Sequence, residues 1–275
     1  MRIALAQLNS NDDIQRNLQQ VIGLVSEAAG KVALEKPELI IFPENSLYFR
    51  LDTKKSIHAL ELDSDVFKML EDVAQKSQIA LHLTTAFADQ KHSETKFFNA
   101  SILFRPGSKP EVLYHKIHLF DISLKDQKPI RESDVFLNGE KENIFEFNGL
   151  LFGSSICYDL RFSELYSHYA KKGVDVILVP SAFLVKTGLA HWEVLLRARA
   201  IESQCYVLAP AQSGRHSGKN HDHFRDTFGH TMAIDPWGQV LSLLDSEIGL
   251  IYLNLDKNEI NSVREQIPMG SHRRL

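Results

Sequence analysis

The chain has 275 residues, enough for one large α/β domain or two modest ones with a substantial core. Its formal net charge of -4, with acidic and basic residues interspersed, offers no broad positive surface to nucleic acid or to an anionic membrane. The apolar runs are much shorter than a membrane span, and no charged and apolar leader is visible, so we expect a cytoplasmic protein that acts on a small molecule. No linker, repeat or low-complexity tract divides the chain, so we expect one domain over residues 1–275.

Strand-like and helical patterns alternate along the chain. The apolar spacing predicts strands at 2–8, 38–44, 79–87, 97–104, 112–117, 175–181, 205–211, 231–234, 240–244 and 250–255. It predicts helices at 13–32, 65–76, 163–172, 191–203 and 257–266. Several consecutive strands have no helix between them and must pair antiparallel, so the sequence predicts an α/β fold with mixed sheets.

Three of the apolar runs carry a reactive side chain. Glu44 ends the run at 39–44, the position where open α/β sheets present functional groups, and is a candidate base. Lys116 lies among β-branched and aromatic residues and is a candidate clamp for an oxyanion. Cys157 follows the run at 150–156 and opens a turn into a helix, where helix N–H groups favour a thiolate nucleophile.

Each of these residues also has a purely structural interpretation. Glu44 could cap a helix, Lys116 could extend from an edge strand to solvent, and Cys157 could be a buried core cysteine. The other cysteine, Cys205, lies on a strand-like run and is expected to pack as a small hydrophobic residue. A bridge between the two cysteines is not expected in a reducing compartment.

The segments that contain the three residues resemble the nitrilase superfamily of carbon-nitrogen hydrolases. The matching segments are 42–44, 114–121 and 156–162, and the resemblance runs nearly from end to end. The second half is similar to the branch that hydrolyses deaminated glutathione, at 190–202, 204–207, 211–216, 228–230 and 235–238. This resemblance implies an αββα sandwich with two mixed sheets in four layers. It also implies an amidase without a cofactor, and a homodimer or a higher homo-oligomer.

The resemblance assigns Glu44, Lys116 and Cys157 as a catalytic triad. In the expected reaction Glu44 takes the thiol proton, the sulfur attacks the amide carbon, and a thioester forms as the amine leaves. Lys116 and the backbone N–H after Cys157 would hold the oxyanion. Glu132 matches a second glutamate that orients the lysine and the amide in many members of the family. A solvated loop acid is the alternative interpretation of Glu132.

Substrate-binding residues are predicted around the nucleophile and in the loop at 213–228. Arg161 lies four residues beyond Cys157 and could bind a substrate carboxylate if a helix continued, although a structural ion pair would explain it equally well. Tyr158 is a predicted binding residue because it follows the nucleophile, and Thr187 because its hydroxyl lies on a predicted loop. Arg215 and His216 fit a basic lid over an anionic substrate, although this loop is longer than is common in the branch.

The His221-Asp222-His223 sequence suggests zinc, but its spacing is irregular, and a polar loop explains it with fewer assumptions, so no metal is expected. The leading hypothesis is an amidase for deaminated glutathione in metabolite repair. The alternatives are an ω-amidase for 2-oxoglutaramate or 2-oxosuccinamate, a non-catalytic interaction module with the same fold, and a redox switch built on the two cysteines. A true nitrilase or a carbamoyl hydrolase fits the segment at 191–202 less well.

Overall fold

The computed structural model of the chain describes all residues except 53, 55, 94, 124–128, 219–222 and 275. The strands β1 to β16 are, in chain order, Arg2–Gln7, Leu39–Ile41, Ala80–Phe87, Phe98–Phe104, Glu111–His115, Asp121–Ile122, Ile130–Arg131, Ile144–Phe147, Leu150–Ser154, Val176–Leu178, Tyr206–Ala209, Ser213–Ser217, Phe224–Phe228, Thr231–Ile234, Val240–Leu244 and Gly249–Asn254. The α-helices α1 to α6 are Ile14–Ala29, Asp65–Ser77, Ser163–Lys171, Val185–Ser203, Lys257–Gln266 and Met269–His272. Short 3-10 helices cover Glu132–Asp134 and Cys157–Arg161.

Two six-stranded sheets form the centre of the fold. Their strand orders are β16-β1-β2-β3-β4-β5 and β15-β14-β11-β10-β9-β8. In the first sheet β1, β2 and β3 run parallel, and in the second β9, β10 and β11 run parallel. The outer strands of both sheets pair antiparallel. Both sheets are therefore mixed, as the sequence predicts.

The alternation of side chains along β1 separates the layers. Ile3 and Leu5 belong to the core that lies between the sheets, together with Phe152 of β9. Ala4 and Ala6 point the other way and pack in a second core with α1 and α2. The helices α3 and α4 cover the outer face of the second sheet, where Tyr166, Tyr169, Trp192 and Leu196 are buried. This is the αββα sandwich that the family resemblance implies.

Helix α4 begins at Val185, six residues before the predicted start at 191. Thr187 therefore lies in the first turn of a helix and not on a loop, and its Oγ1 donates a hydrogen bond to the Leu184 carbonyl over 3.2 Å. Tertiary packing explains the earlier start. Gly188 faces Phe228 so closely that a Cβ atom would lie 2.2 Å from its Cγ atom, so this turn is pressed against β13.

The strands β12 and β13 form a hairpin in the segment that the sequence analysis interprets as a polar loop. Its register pairs Arg215 with Asp226 and His216 with Arg225. The segment is rich in charged residues and glycine, which favour turns over strands, so local propensity hides the hairpin. The pairing of Leu184 with Thr227, and a 2.9 Å hydrogen bond from the Phe228 N–H to the Phe183 carbonyl, attach β13 to the chain just before and at the start of α4.

Replacing Phe152 with alanine tests the core between the sheets. Phe152 is fully buried and stacks on Phe145 with the ring centroids 5.2 Å apart. We expect Phe152→Ala to lower the free energy of unfolding by about 3–5 kcal/mol, because it removes a large buried side chain and leaves a cavity. Phe224→Ala is the matched control, since Phe224 is 60% exposed. Chemical denaturation measures both variants, and equal losses would contradict the assigned core.

Candidate active site

The predicted triad residues lie just beyond the carboxyl ends of three strands. Glu44 follows β2, Lys116 follows β5 directly, and Cys157 follows β9. All three line one pocket of about 310 Å³, and Glu132 lines it as well. Residues that are far apart in the sequence therefore share a cavity between the ends of the two sheets, where α/β folds commonly bind ligands.

The ammonium group of Lys116 lies between two carboxylates. Its Nζ atom is 2.8 Å from Oε1 of Glu44 and 2.9 Å from Oε2 of Glu132. Lys116 is only 2% exposed, so these ion pairs are shielded from water. An ammonium has three N–H donors, and the third contact of Nζ, at 3.2 Å to Oε1 of Glu132, is the longest and is the one that a substrate oxygen could replace.

Asn99 of β4 joins the two carboxylates from the other side. Its Nδ2 atom donates to Oε1 of Glu44 over 2.9 Å and to Oε1 of Glu132 over 3.1 Å. Backbone amides complete the set, since the Ala182 N–H donates to Glu44 over 3.0 Å and the Phe120 N–H donates to Glu132 over 2.6 Å. Asn99 is missing from the sequence-based prediction. The sequence signal that points to it is a polar amide near the start of a largely apolar strand.

Cys157 sits at a strained turn between β9 and the 3-10 helix that follows. Its φ angle is 48°, in the left-handed region that residues with a side chain rarely adopt. A 3.0 Å hydrogen bond from its own N–H to the Pro180 carbonyl holds this conformation. The turn keeps the thiol on the pocket wall, although Cys157 is only 7% exposed.

The carboxylate of Asp159 ties the nucleophile turn to the segment that carries Lys116. It accepts hydrogen bonds from the Ile156 N–H over 2.9 Å, from Tyr114 Oη over 2.8 Å and from the His118 N–H over 2.9 Å. Asp159 is fully buried, so breaking these bonds would leave buried polar groups without partners and would destabilise the fold. The positions of sulfur and ammonium therefore depend on one shared acceptor.

The electrostatics of the pocket favour a protonated thiol at rest. Burial raises the pKa of Cys157 well above its usual value, and the Glu44 carboxylate raises it further, whereas Lys116 acts in the opposite direction with a smaller effect. Burial disfavours the Lys116 ammonium, but Glu132 and Glu44 outweigh it and hold the pKa of Lys116 well above normal. The preformed thiolate expected from the helix N–H groups is therefore not the resting form.

The predicted binding residues nearest to Cys157 do not line this pocket. Arg161 ends a 3-10 helix that starts from the left-handed backbone of Cys157, so the four-residue spacing that would align both side chains on an α-helix does not apply. The Arg161 guanidinium lies over the rings of Tyr158 and Phe183, at 5.8 and 5.3 Å from their centroids. Its Nη1 atom is 3.1 Å from Nδ1 of His191. Tyr158 packs edge-on against Phe120, which does line the pocket.

Thr187, Arg215 and His216 also lie away from the pocket lining. Thr187 is bound within its helix, and the exposed Arg215 forms an ion pair with Asp226 at 2.9 Å. His216 is buried, with hydrogen bonds of 2.6 Å to the Ser10 carbonyl and to Thr227 Oγ1. Burial lowers the pKa of His216 to about 4, so the ring is neutral at pH 7.

The hairpin nevertheless brings one arginine to the pocket. Arg225 lines the cavity together with Glu44, Lys116, Glu132 and Cys157. Arg215 is the predicted binding residue of this segment because 211–216 resembles the deaminated glutathione branch. Without the hairpin register, the sequence does not distinguish the inward from the outward arginine. The alternation of side chains along β13 is the signal that separates them once the strand is known.

The described part of the chain contains no group of three or more His, Cys, Asp or Glu side chains arranged to hold a metal ion. His221 and Asp222, which prompted the zinc alternative, lie outside the described residues. The helices in the described part all lack the combination of length and apolarity that a bilayer span requires. Cys157 and Cys205 are both free, and Cys205 is buried in the core as predicted.

The reactivity of Cys157 tests this charge arrangement. In a Cys205→Ala background we expect iodoacetamide to react with Cys157 slowly at neutral pH and faster as the pH rises, because the thiol must lose its proton first. Since the Glu44 charge raises the thiol pKa, Glu44→Gln should move the pH dependence of alkylation to lower pH. An unchanged or higher midpoint, measured by mass spectrometry of the alkylated protein, would contradict the arrangement.

Known proteins resemble the whole chain. The sequence pattern of the family described as "Carbon-nitrogen hydrolase" matches residues 2–265. "Deaminated glutathione amidase" of Synechocystis sp. is 37% identical over 275 residues, which cover 98% of this chain and 97% of the relative.

Two solved structures share the fold. The NitFhit protein of C. elegans superimposes with a TM-score of 0.82 and 31% identity, over 99% of this chain but only 65% of the NitFhit chain. Nit3 of Saccharomyces cerevisiae, described as a member of branch 10 of the nitrilase superfamily, gives a TM-score of 0.80 and 27% identity over 100% of this chain and 97% of its own. Sequence pattern, identity and fold agree along the full length, and the chain belongs to the carbon-nitrogen hydrolase family, the nitrilase superfamily.

Proposed function

We propose that the chain is a thiol amidase that hydrolyses the amide bond of deaminated glutathione, a reaction of metabolite repair. The observation that carries this proposal is the single pocket that contains Cys157, Glu44, Lys116 and Glu132. The relative from Synechocystis sp. supports the choice of substrate. Deaminated glutathione has an amide to cleave and carboxylates at separated ends, which suits a pocket lined by several arginines, namely Arg50, Arg131 and Arg225.

In the first half-reaction Cys157 is the nucleophile. Glu44 takes the thiol proton as the sulfur bonds to the amide carbon, and the carbonyl oxygen becomes an oxyanion. The Lys116 N–H that makes the longer, 3.2 Å contact with Oε1 of Glu132 turns to this oxyanion, and the Tyr158 N–H binds it as well. The Tyr158 N–H has no acceptor among the described residues. Because the thiol is protonated at rest, the proton moves to Glu44 during the attack and not before it.

Collapse of the tetrahedral intermediate breaks the carbon-nitrogen bond. Glu44 returns its proton to the leaving amine, which is cysteinylglycine for deaminated glutathione and ammonia for 2-oxoglutaramate. The acyl group remains on Cys157 as a thioester. Glu44, again a carboxylate, then removes a proton from a water molecule that attacks the thioester carbon, and the thiolate takes up a proton as the acid leaves.

Glu132 orients the reaction and does not transfer a proton. Both of its oxygens contact Lys116, at 3.2 and 2.9 Å, and one of them accepts from the Phe120 N–H. These contacts fix the position of the ammonium relative to Glu44 and to the site of the developing oxyanion. A positioned donor costs no reorganisation when charge develops, and one such donor typically contributes about 2.7–4 kcal/mol to the transition state.

The closest competing function is an ω-amidase. 2-Oxoglutaramate has the same acyl group as deaminated glutathione and would use the same four residues. A non-catalytic interaction module would have no need of a strained cysteine beside a paired base. A redox switch needs its cysteines to meet, but Cys205 lies in the core beside β11, away from the pocket lining.

We also propose that the chain is one domain that forms a homodimer or a higher homo-oligomer and works in the cytoplasm. The family resemblance suggests the assembly. Large apolar side chains on α4 support it, because Leu189 and Val194 are 74% and 69% exposed. The two free cysteines are compatible with a reducing compartment.

Variants of the two cysteines test the mechanism. We expect Cys157→Ser to lower kcat by at least about 1,000-fold, because a hydroxyl is much harder to ionise than a thiol and acts as a poor nucleophile here. Cys205→Ser is the matched control and should retain activity, since Cys205 is buried away from the pocket. Circular dichroism establishes that both variants are folded. Comparable activity of the two variants would remove Cys157 from the mechanism.

Kinetics with parallel substrates test the assignment of function. We expect a higher kcat/KM for deaminated glutathione than for 2-oxoglutaramate, with cysteinylglycine released in the first case and ammonia in the second. Quantifying both amines by mass spectrometry gives the two rates in one experiment. A strong preference for 2-oxoglutaramate would identify an ω-amidase, and turnover of neither amide would refute the proposed function.

A further inference from the structure

Arg225 is the inward-facing arginine of the β12–β13 hairpin. Residues that face each other across an antiparallel pair point to the same side, and neighbours along a strand point to opposite sides. His216, opposite Arg225, is buried, whereas Arg215 and Asp226 form their ion pair on the outer face. The hairpin register therefore directs Arg225 into the pocket and Arg215 out of it.

The Arg225 guanidinium has no anionic partner within the described part of the chain. It lies over the ring of Phe49, whose centroid is 5.5 Å from the guanidinium carbon. Phe49 is buried and also packs edge-on against His216, at 4.7 Å between ring centroids. A guanidinium placed on an aromatic face keeps its N–H groups free at its edge, where they can bind a carboxylate through two parallel hydrogen bonds.

Charge and burial distinguish Arg225 from the other arginines of the pocket. Arg131 is exposed at the rim, and Arg50 already has a partner within the protein. Arg225 is partly buried, and burial lowers its pKa, while Glu44, Glu132 and the Cys157 thiol act in the opposite direction. A guanidinium remains charged in any case, so this cation lies close to the reacting groups without a carboxylate partner among the residues that the structure describes.

The hairpin gives this cation a fixed position. The Phe228 N–H donates to the Phe183 carbonyl, and the N–H of the preceding residue, Ala182, donates to the Glu44 carboxylate. Two hydrogen bonds, from Phe228 to Phe183 and from Ala182 to Glu44, thus connect the strand that carries Arg225 to the proposed general base. A rigid cation is preorganised to bind an anion, because little side-chain and backbone freedom is lost on binding.

We propose that Arg225 binds a carboxylate of the substrate and makes the enzyme selective for amides of carboxylic acids over neutral amides. This inference rests on the amidase function proposed above. Deaminated glutathione offers two carboxylates, one on the acyl side and one on the leaving amine, and both have the chemistry that a guanidinium recognises.

The test compares two amides that differ only in the carboxylate. Levulinamide is 2-oxoglutaramate with a methyl group in place of that carboxylate. We expect the wild type to prefer 2-oxoglutaramate in kcat/KM by roughly 10- to 150-fold, the value of a charge-assisted hydrogen bond. Arg225→Met should reduce this preference to near one, and circular dichroism establishes that the variant is folded. Arg225→Lys should retain part of the preference, because it keeps the charge without the forked geometry.

Arg215→Met is the comparison on the same hairpin. It removes an identical charge from the outer face, and we expect it to keep the preference of the wild type. Retention of the preference by Arg225→Met, or its loss in Arg215→Met alone, would overturn the proposal. A wild type that hydrolyses both amides equally would overturn it as well, while the amidase function would stand.

A third compound identifies which carboxylate Arg225 binds. Levulinyl-cysteinylglycine carries only the carboxylate of the leaving amine, and 2-oxoglutaramate carries only that of the acyl side, so the compound that Arg225→Met affects selectively identifies the bound end of the substrate. Calorimetric binding of 2-oxoglutaramate to Cys157→Ala needs no turnover and tests Arg225 even if hydrolysis fails. A dissociation constant that is unchanged when Arg225→Met is added would then refute the carboxylate site, and a rise of the same 10- to 150-fold order would support it.

Discussion

The placement of one buried ammonium between two carboxylates determines the organisation of the site. Taking Lys116 and its partners out of water is costly, and only close pairing with good hydrogen bonds offsets the cost. The structure supplies this pairing at 2.8 and 2.9 Å, and Asn99 and two backbone amides donate further hydrogen bonds to the same two carboxylates. Removing the ammonium would leave two buried carboxylates beside each other, so the charges constrain the fold as well as the chemistry.

The same cluster explains why the nucleophile is held protonated and still ready to react. Burial and the Glu44 charge stabilise the thiol of Cys157, so the resting pocket avoids a third buried anion. When a carbonyl enters, the negative charge moves from Glu44 onto the substrate oxygen, which Lys116 can stabilise directly. The cluster therefore keeps its total charge throughout the attack, and only the location of that charge changes.

Sequence reasoning finds the parts of the site that lie at strand ends. Glu44, Lys116 and Cys157 each follow an apolar run, and parallel strands bring their carboxyl ends to one edge of a sheet. The mixed sheets and most strand positions follow from periodicity, whereas the four-layer arrangement and the role of Glu132 come from the resemblance. Asn99 remains hidden because its function arises from two carboxylates that reach it from other segments.

Local sequence patterns do not predict elements that are determined by tertiary contacts. The β12–β13 hairpin consists of residues with weak strand propensity and is stabilised by the start of α4, so its sequence is typical of a loop. Arg215 and Arg225 are equivalent in composition, and only the strand register separates the outward from the inward arginine. Arg161 lies outside the pocket lining for a related reason, because the turn after Cys157 is a 3-10 helix and not the α-helix on which its predicted spacing depends.

Acid quenching of the wild-type enzyme during turnover of deaminated glutathione, followed by peptide mass spectrometry, detects the acyl-enzyme itself. We expect the peptide containing Cys157 to carry the 2-oxoglutaryl group as a thioester, and the peptide containing Cys205 to carry none. Turnover without any acyl group on Cys157, or with the acyl group on another residue, would contradict this mechanism.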